Sequence, residues 1–362
     1  MKKIMLIIYC ALFLVPCAFF SLGMLIPGAA EAAEGGVEMP SLLTDTPVIT
    51  INSDFGDEFE EYFSKSFAYR NKVVDVFAAL KAEVFSEGNE QVIMGQDDFL
   101  FFADTLPDYT GSNLMTDEEV NAVADALLYM YEYSTERGAD FLFVCAPNKN
   151  SIYPEMMPSR YIMNTENRDL DRLAEALNER GVPYIDLRDI LSAAKSEHLI
   201  YHKRDTHWNN EGARIAFEAM ADKLSSDIPN FDLYNPTPVR NHVGDLDTLL
   251  FPDREVYDDN VSYDFKGKYI YTTAYSTPMD LRIAARGGGV GKLLMFRDSF
   301  ANAMIPFAAS SFSEVRFERA TPYCDNMSLV DSFSPDYVIA MIAERNLRNL
   351  IGNNDEIADT TD

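Results

Sequence analysis

All four histidines of this 362-residue chain fall between His198 and His242. Within that window runs Tyr201-His202-Lys203-Arg204-Asp205-Thr206-His207-Trp208-Asn209-Asn210, which also holds the only tryptophan. Asp205 and His207 are two apart, on a loop just ahead of a helical pattern. A tight loop can bring such a carboxylate against one imidazole nitrogen, fixing the tautomer and stabilising the imidazolium. The same spacing also suits a polar turn in which Asp205 is only a local cap. His198, His202 and His207 could instead gather around a metal. No cysteine or second carboxylate arrives at a recognised ligand spacing, so no metal is expected.

A nucleophile would decide between these readings. Leu293-Leu294-Met295-Phe296 reads as a short apolar strand that ends in Arg297-Asp298-Ser299-Phe300 before a helix. A serine at a strand-to-helix turn, at the carboxyl end of a parallel sheet, lies in the crevice where α/β proteins bind ligands. Backbone N–H groups at the helix start can hold an oxyanion there. Ser299 is equally compatible with an ordinary helix cap. The run Gly287-Gly288-Gly289-Val290-Gly291-Lys292 invites comparison with a phosphate loop. It lacks Ser or Thr after Lys292 and leads into a strand, so a flexible surface connection is expected instead.

The elements that must position these residues alternate. Strands are expected at Phe141–Ala146, Pro183–Leu187, Lys292–Phe296, Glu314–Phe317 and Asp336–Ile342. Helices are expected near 116–137, 167–180, 210–224, 300–309 and 325–333. Thr116 with Glu119 has the form of a capping box, and a hairpin is expected around Gly95-Gln96-Asp97-Asp98. Such alternation implies βαβ units and a mostly parallel sheet covered on both faces, an α/β/α domain over 55–351. Residues 228–285, rich in Asp, Asn, Pro and Tyr, suggest long loops or an insertion. A helix is also expected over Glu58–Val84.

With 58 acidic against 30 basic side chains, the net charge is −28. That balance argues against nucleic-acid binding and against docking on an anionic membrane face. Lys2-Lys3, the apolar run Ile4 to Ile26 and the small residues through Ala33 read as a secretory signal or an uncleaved anchor (residues 1–33). Residues 34–54 read as a stalk and 352–362 as an acidic tail, so the domain is expected outside the cytoplasm, secreted or membrane-anchored. Of the four cysteines, Cys145 and Cys324 remain in the folded part. Cys145 is expected as a buried core thiol, and a disulfide between the two is possible in that compartment.

The chain resembles the DHHW proteins and, more distantly, the alginate O-acetyltransferase group with SGNH-hydrolase-like catalytic domains. The matching pieces are Phe67-Ala68-Tyr69-Arg70-Asn71-Lys72, Ala146-Pro147-Asn148-Lys149-Asn150-Ser151-Ile152-Tyr153-Pro154-Glu155, Asp205-Thr206-His207-Trp208-Asn209, Phe296-Arg297-Asp298-Ser299-Phe300 and Ala343-Glu344-Arg345-Asn346-Leu347. The resemblance implies a flavodoxin-like three-layer α/β/α fold. Its motif order is permuted, because Asp-x-His precedes the serine. It implies Ser299 as nucleophile, His207 as general base and Asp205 as orienter, with no cofactor. Arg297 stands where many SGNH enzymes carry Gly.

The expected activity is acetyl transfer to, or acetyl-ester removal from, an exported or cell-wall glycan, with a membrane-bound acyl-transfer protein as a possible partner. A catalytically inactive glycan-binding or assembly protein of the same fold is the alternative. Asn148 and Lys149 are expected to help hold the oxyanion. Tyr201, Trp208 and Tyr153 are candidates for an aromatic rim, with packing around the loop as the other reading of each, and Asn209 belongs to the same substrate-facing group. Lys149, Lys203, Arg204 and Arg297 are candidates for a local basic lining. Glu344 and Arg345 are expected either to line the crevice or to form an internal ion pair.

Overall fold

The computed structural model of the protein describes residues 58, 88–225, 227–228, 236–252 and 254–351. The expected signal or anchor, the stalk, nearly all of the 58–84 helix, the Phe67–Lys72 motif and the acidic tail lie outside these residues. Among the described residues no helix is long and apolar enough to cross a membrane. The chain divides into two compact units, residues 1–89 with 248–255 and residues 90–247 with 256–362. In the first, Asn89 Nδ2 donates to the Leu249 carbonyl at 3.0 Å. All of the candidate chemistry lies in the second.

The second unit is built on a seven-stranded sheet. In chain order its elements begin with a hairpin, β1 (Val92–Met94) and β2 (Leu100–Phe102). The sheet strands β3 (Asp140–Ala146) and β4 (Tyr184–Asp186) follow, then a second hairpin, β5 (Thr237–Val243) and β6 (Tyr257–Ser262). Five more sheet strands complete the set: β7 (Tyr269–Tyr271), β8 (Arg282–Gly287), β9 (Lys292–Phe296), β10 (Glu314–Glu318) and β11 (Tyr337–Ala343). The sheet order is β4-β3-β11-β9-β10-β8-β7. The first five of these run parallel, while β8 and β7 are antiparallel at one edge. The sheet is therefore mixed and mostly parallel.

Alternation along the central strands explains the core. Phe141, Phe143 and Cys145 enter one cluster with Val123 and Leu127 of the Asp117–Thr135 helix and Leu173 and Leu177 of the Asp169–Arg180 helix. Leu142, Val144 and Ala146 enter another with Ala213 and Phe217 of the Asn210–Leu224 helix and Ile305 of the Ile305–Ser311 helix. A period of two puts successive side chains on opposite faces, and each fully buried Leu, Val or Phe contributes about 1.5–3 kcal/mol. Cys145 and Cys324 are both buried free thiols.

Thr116 and Glu119 do form a capping box at the start of the 117–135 helix. The hairpin around Gly95 is present as β1 and β2, paired antiparallel.

Three expectations are corrected. The 228–285 stretch is not simply loop, since it holds the β5–β6 hairpin and β7, which joins the main sheet. The segment after Ser299 opens as a 3-10 turn, Ser299–Met304, before becoming α-helical at Ile305. The glycine run is a surface connection between β8 and β9, with Gly288 and Val290 exposed, but it is packed on one side. A Cβ on Gly289 would lie 1.7 Å from the Ser311 carbonyl oxygen, and one on Gly287 would lie 2.1 Å from that of Ala309. These glycines let two backbones touch.

Candidate active site

The carboxyl ends of β3, β11 and β9, neighbours in the sheet, deliver Asn148, Glu344 and Ser299 respectively. Along the chain β9 continues to β10 on one side and β3 to β4 on the other, with β11 between them. This is the switch-point crevice of an open α/β sheet. Asp298 sets the serine turn. Its Oδ1 accepts from Phe300 N–H at 2.9 Å, and its Oδ2 accepts from Ala343 N–H at 2.7 Å and Asn346 Nδ2 at 3.3 Å. One carboxylate thus ties the nucleophile turn to the end of β11. Ser299 opens that turn, so its N–H has no intrahelical partner.

The Asp-x-His loop is closed by an antiparallel bridge between Tyr201 and Trp208. His202 N–H donates to the His207 carbonyl at 3.2 Å, and Asn209 N–H to that of Ile200 at 3.0 Å. Lys149 fills the loop from inside. Its ammonium donates to the carbonyls of His202 (3.1 Å), Lys203 (3.0 Å) and Asp205 (2.6 Å). Burial pulls Lys149 down to about 7, against the opposing pull of Asp205, Asp245 and Asp258.

The side chains then line up. His207 Nε2 is 2.9 Å from Ser299 Oγ, and His207 Nδ1 is 2.7 Å from Asp205 Oδ1. Asp205 Oδ1 also accepts from His207 N–H at 2.8 Å. Burial alone would push Asp205 up, but hydrogen bonds from His207 and His242 outweigh it and hold the carboxyl well below its usual range. An ionised carboxylate can only accept, so Nδ1 carries the proton and Nε2 presents a lone pair to the Ser299 hydroxyl. The base is oriented and aimed at the serine.

Other sequence candidates are placed differently. Tyr201 and Trp208 are fully buried and Tyr153 nearly so; they form no exposed rim. Tyr201 donates its hydroxyl to the Pro147 carbonyl at 2.7 Å, and Trp208 Nε1 donates to that of Phe300 at 2.9 Å. They brace the loop against the serine turn. Asn209 is the buried N-cap of the 210–224 helix, accepting from Gly212 N–H at 3.0 Å. Asn148 is enclosed, with its N–H on Glu344 (2.9 Å) and its Nδ2 on Asp108 (3.1 Å). Both of its donors, like the Lys149 ammonium, are committed inward, away from an oxyanion at Ser299.

Arg297 is also turned inward. It is wholly buried and holds the carbonyls of Pro278 (2.8 Å) and Asp280 (3.0 Å) and Asn302 Oδ1 (2.6 Å). Arg204 pairs with Asp247, and Lys203 donates to the Asp97 carbonyl. Lys149, Arg204 and Arg297 are thus turned to partners within the protein, and Lys203 is held on the Asp97 carbonyl at the surface. Glu344 forms the internal ion pair, 2.7 Å from Arg168. Arg345 does not. Half-buried, its guanidinium lies 5.2 Å from the Phe300 ring, which in turn lies 4.9 Å from the His207 ring.

Two contributors, His242 and Asp245, lie outside the motifs recognised in the sequence. His242 Nε2 reaches Asp205 Oδ2 at 2.8 Å, and Asp245 N–H reaches the same oxygen at 3.0 Å. Asp245 also accepts from Thr206 N–H (2.8 Å) and Thr206 Oγ1 (2.6 Å). The confinement of all four histidines to one window was the available signal. The metal grouping of His198, His202 and His207 does not form: His207 faces Ser299, and His202 stacks on His242 at 3.8 Å. Asp205, His207 and Asp245 do bring possible ligand atoms within 4.8 Å of one another. The imidazole edge there is Nδ1, already engaged by Asp205.

The chain is similar to several known proteins. Residues 92–257 match the family described as "SGNH hydrolase-like domain, acetyltransferase AlgX". A Pseudomonas putida protein named "Probable alginate O-acetylase AlgJ" is 22% identical over 207 residues, covering 56% of this chain and 51% of the relative. The chain spans about half the length of the curated relatives it matches. The solved O-acetyltransferase domain of Pseudomonas putida AlgJ superposes with a TM-score of 0.53 at 15% identity, covering 74% of this chain and 97% of that one. A DHHW family protein from Eubacterium siraeum gives 0.50 at 17% identity, covering 66% and 88%. At such identities the structures establish a shared fold. The resemblance drawn from the sequence therefore stands: this protein is similar to the alginate O-acetyltransferase group with SGNH-hydrolase-like domains, and its fold is shared with a DHHW protein.

Proposed function

We propose that this protein carries out serine-dependent acetyl transfer on a polysaccharide outside the cytoplasm. The observation that carries the proposal is the continuous chain Ser299–His207–Asp205, with contacts of 2.9 and 2.7 Å. The names of its relatives, an alginate O-acetylase and an O-acetyltransferase domain, supply the substrate class. Ser299 Oγ attacks the acetyl carbonyl and its proton passes to His207 Nε2. The tetrahedral oxyanion faces Ser299 N–H, the donor at the head of the turn. Collapse breaks the bond to the donor's leaving atom, which takes the proton from His207, and leaves acetyl-Ser299. A sugar hydroxyl then attacks this ester, gives its proton to His207 and restores Ser299. Water in its place makes the protein an esterase.

The two apolar clusters on opposite sides of the central strands favour the flavodoxin-like three-layer arrangement. The N-terminal charge and apolar run support export, with residues 1–33 as signal or anchor and 34–54 as stalk. A glycan is the partner this reading requires; a membrane-bound acyl-transfer protein would supply the acetyl group. With Lys149 and Arg297 turned inward, Arg345 is the cation left beside Phe300 to meet an anionic sugar. The inactive alternative drew on Arg297 standing in place of Gly and on the acidic composition, and the inward course of the Arg297 side chain weakens the first of these.

The test is turnover of an aryl acetate by the purified full chain, together with labelling by a sulfonyl fluoride. Wild type should turn over and label on Ser299, and Ser299→Ala should do neither. Undiminished turnover in Ser299→Ala, or a silent wild-type serine at high probe concentration, would overturn the assignment.

A further inference from the structure

Asp205 has two oxygens, and the triad uses one. The other, Oδ2, accepts from His242 Nε2 at 2.8 Å and from Asp245 N–H at 3.0 Å. Several local features bring His242 there. It lies on β5 beside the register shift between Arg240 and His242, an irregularity of the kind that re-aims a strand side chain. Two residues on, the backbone of Gly244 approaches the Arg204 carbonyl so closely that an added Cβ would lie 2.0 Å from its oxygen. The His242 ring stacks on that of His202 at 3.8 Å and 11°, and His202 is buried inside the Asp-x-His loop. This strand end is fitted against the loop at the ring, the backbone and the carboxylate.

We propose that His242 is a positioning residue for the His207–Asp205 pair, and that its charge sets how strongly Asp205 supports the His207 imidazolium. The inference rests on the serine-nucleophile reading and goes beyond it. Either charge state of His242 can donate through Nε2–H to Asp205, so the carboxylate keeps its rotamer and keeps Oδ1 on His207. The electrostatics differ between the two states. A neutral His242 leaves the full carboxylate charge for the imidazolium formed during attack. A protonated His242 shares that charge and places a second cation on the same counter-ion.

The charged groups around His242 come from several elements. Asp205 and His202 lie on the loop, Asp258 on β6 and Asp245 after β5, while Lys149, which fills the loop, acts on His202. Burial opposes charge on His242, but the Asp205 hydrogen bond and the three carboxylates outweigh it and raise the ring above its ordinary value. Burial and the neighbouring His242 push His202 down to about 3, so it stacks as a neutral ring. As pH falls, His242 takes up a proton and weakens the support that Asp205 gives the base. The acid limb of kcat/KM should therefore carry a contribution from His242.

The experiment is a pH profile of kcat and KM on an aryl acetate with the full chain. It compares wild type, His242→Gln, His242→Leu and Ser299→Ala, with the fold of each checked by circular dichroism. His242→Gln keeps an N–H donor but cannot titrate, so its acid limb should lose that contribution and become shallower. His242→Leu removes a hydrogen bond to a charged group and should lower kcat about tenfold to a hundredfold with KM little changed. Wild-type kcat in His242→Leu, or a wild-type limb in His242→Gln, would overturn the role. Should His242→Leu fail to fold, the limb of His242→Gln decides alone. Persisting turnover in Ser299→Ala would sink the nucleophile itself, whereas an active wild type with an unaltered His242 series sinks only this inference.

Discussion

The Lys149 ammonium lies 2.6 Å from the Asp205 carbonyl, inside the loop whose side chains face Ser299. Lys149 supports the site from behind. Three carbonyls point inward at its ammonium, and a buried carbonyl without a donor costs about 1–3 kcal/mol. The loop therefore keeps its tight course because the Lys149 amine fills it with hydrogen-bond donors.

Replacing Lys149 by Met should destabilise the protein by about 3 kcal/mol and lower turnover through the loop, read as a drop in thermal midpoint. Stability should also carry a pH signature. Burial pulls native Lys149 down to about 7, whereas an unfolded lysine titrates near about 10.4. Between those values the unfolded chain holds a proton that the native chain has released, so this residue makes stability rise with pH. Urea unfolding at pH 6 and pH 9 should show the gap between wild type and Lys149→Met widening at the higher pH. A constant gap would mean that the charge is not suppressed.

Asp298 makes a second prediction. It joins the Phe300 and Ala343 N–H groups at 2.9 and 2.7 Å. Asp298→Ala leaves the Ala343 N–H without an acceptor and frees the serine turn from β11. A loss of about 2 kcal/mol in stability and about a hundredfold in kcat should follow, with a smaller change in KM. Steady-state kinetics and urea unfolding on the same preparation would check both. Wild-type kcat would show that the clamp does not set the position of Ser299.

The parts that were legible in the sequence are those whose signal is local. The strand Lys292–Phe296 has the expected bounds because an apolar run is punctuated by charged residues at both ends. The Asp-x-His pair was legible because two residues on one loop can meet without help from the rest of the fold. The edge strand β7 and its neighbour β8 were not, since short segments with exposed residues gain their identity from their pairing partners. Tyr201 and Trp208 pack around the loop rather than form a rim, and composition could not decide between the two because a buried aromatic with a bonded polar handle has the same composition as an exposed one. His242, 37 residues beyond Asp205, is placed by a hairpin that no motif spans.

The buried pair Arg168–Glu344 makes a third prediction. Glu344 has a fully enclosed side chain, and Arg168 Nη2 reaches it at 2.7 Å. Burial raises the Glu344 carboxyl, and Arg168 opposes that rise. A raised carboxyl binds its proton more tightly in the native state, so its stabilising effect is lost as pH climbs through the native value. Without Arg168 the rise is larger. Arg168→Met should cost about 3–5 kcal/mol at pH 8 and visibly less at pH 5, where Glu344 is closer to neutral. Adding Glu344→Gln to that variant should remove most of the pH dependence. Equal losses at both values would show that the carboxylate finds another partner.

Gly244 makes the last prediction, and it concerns geometry alone. The Cβ of Gly244→Ala would sit 2.0 Å from the Arg204 carbonyl oxygen, closer than real contacts allow, and both parties are backbone. The segment carrying His242 and Asp245 must then withdraw from the Asp-x-His loop, lengthening both bonds to Asp205 Oδ2. Overpacking of this kind costs about 1–3 kcal/mol. The catalytic loss should exceed what that destabilisation explains. At a temperature where the variant is fully folded, kcat should still fall at least about tenfold, because a misplaced orienter weakens the base. Sulfonyl fluoride labelling of Ser299 should slow in parallel, since it draws on the same His207. If the folded Gly244→Ala variant labels and turns over like wild type, contact between β5 and the loop does not support the chemistry.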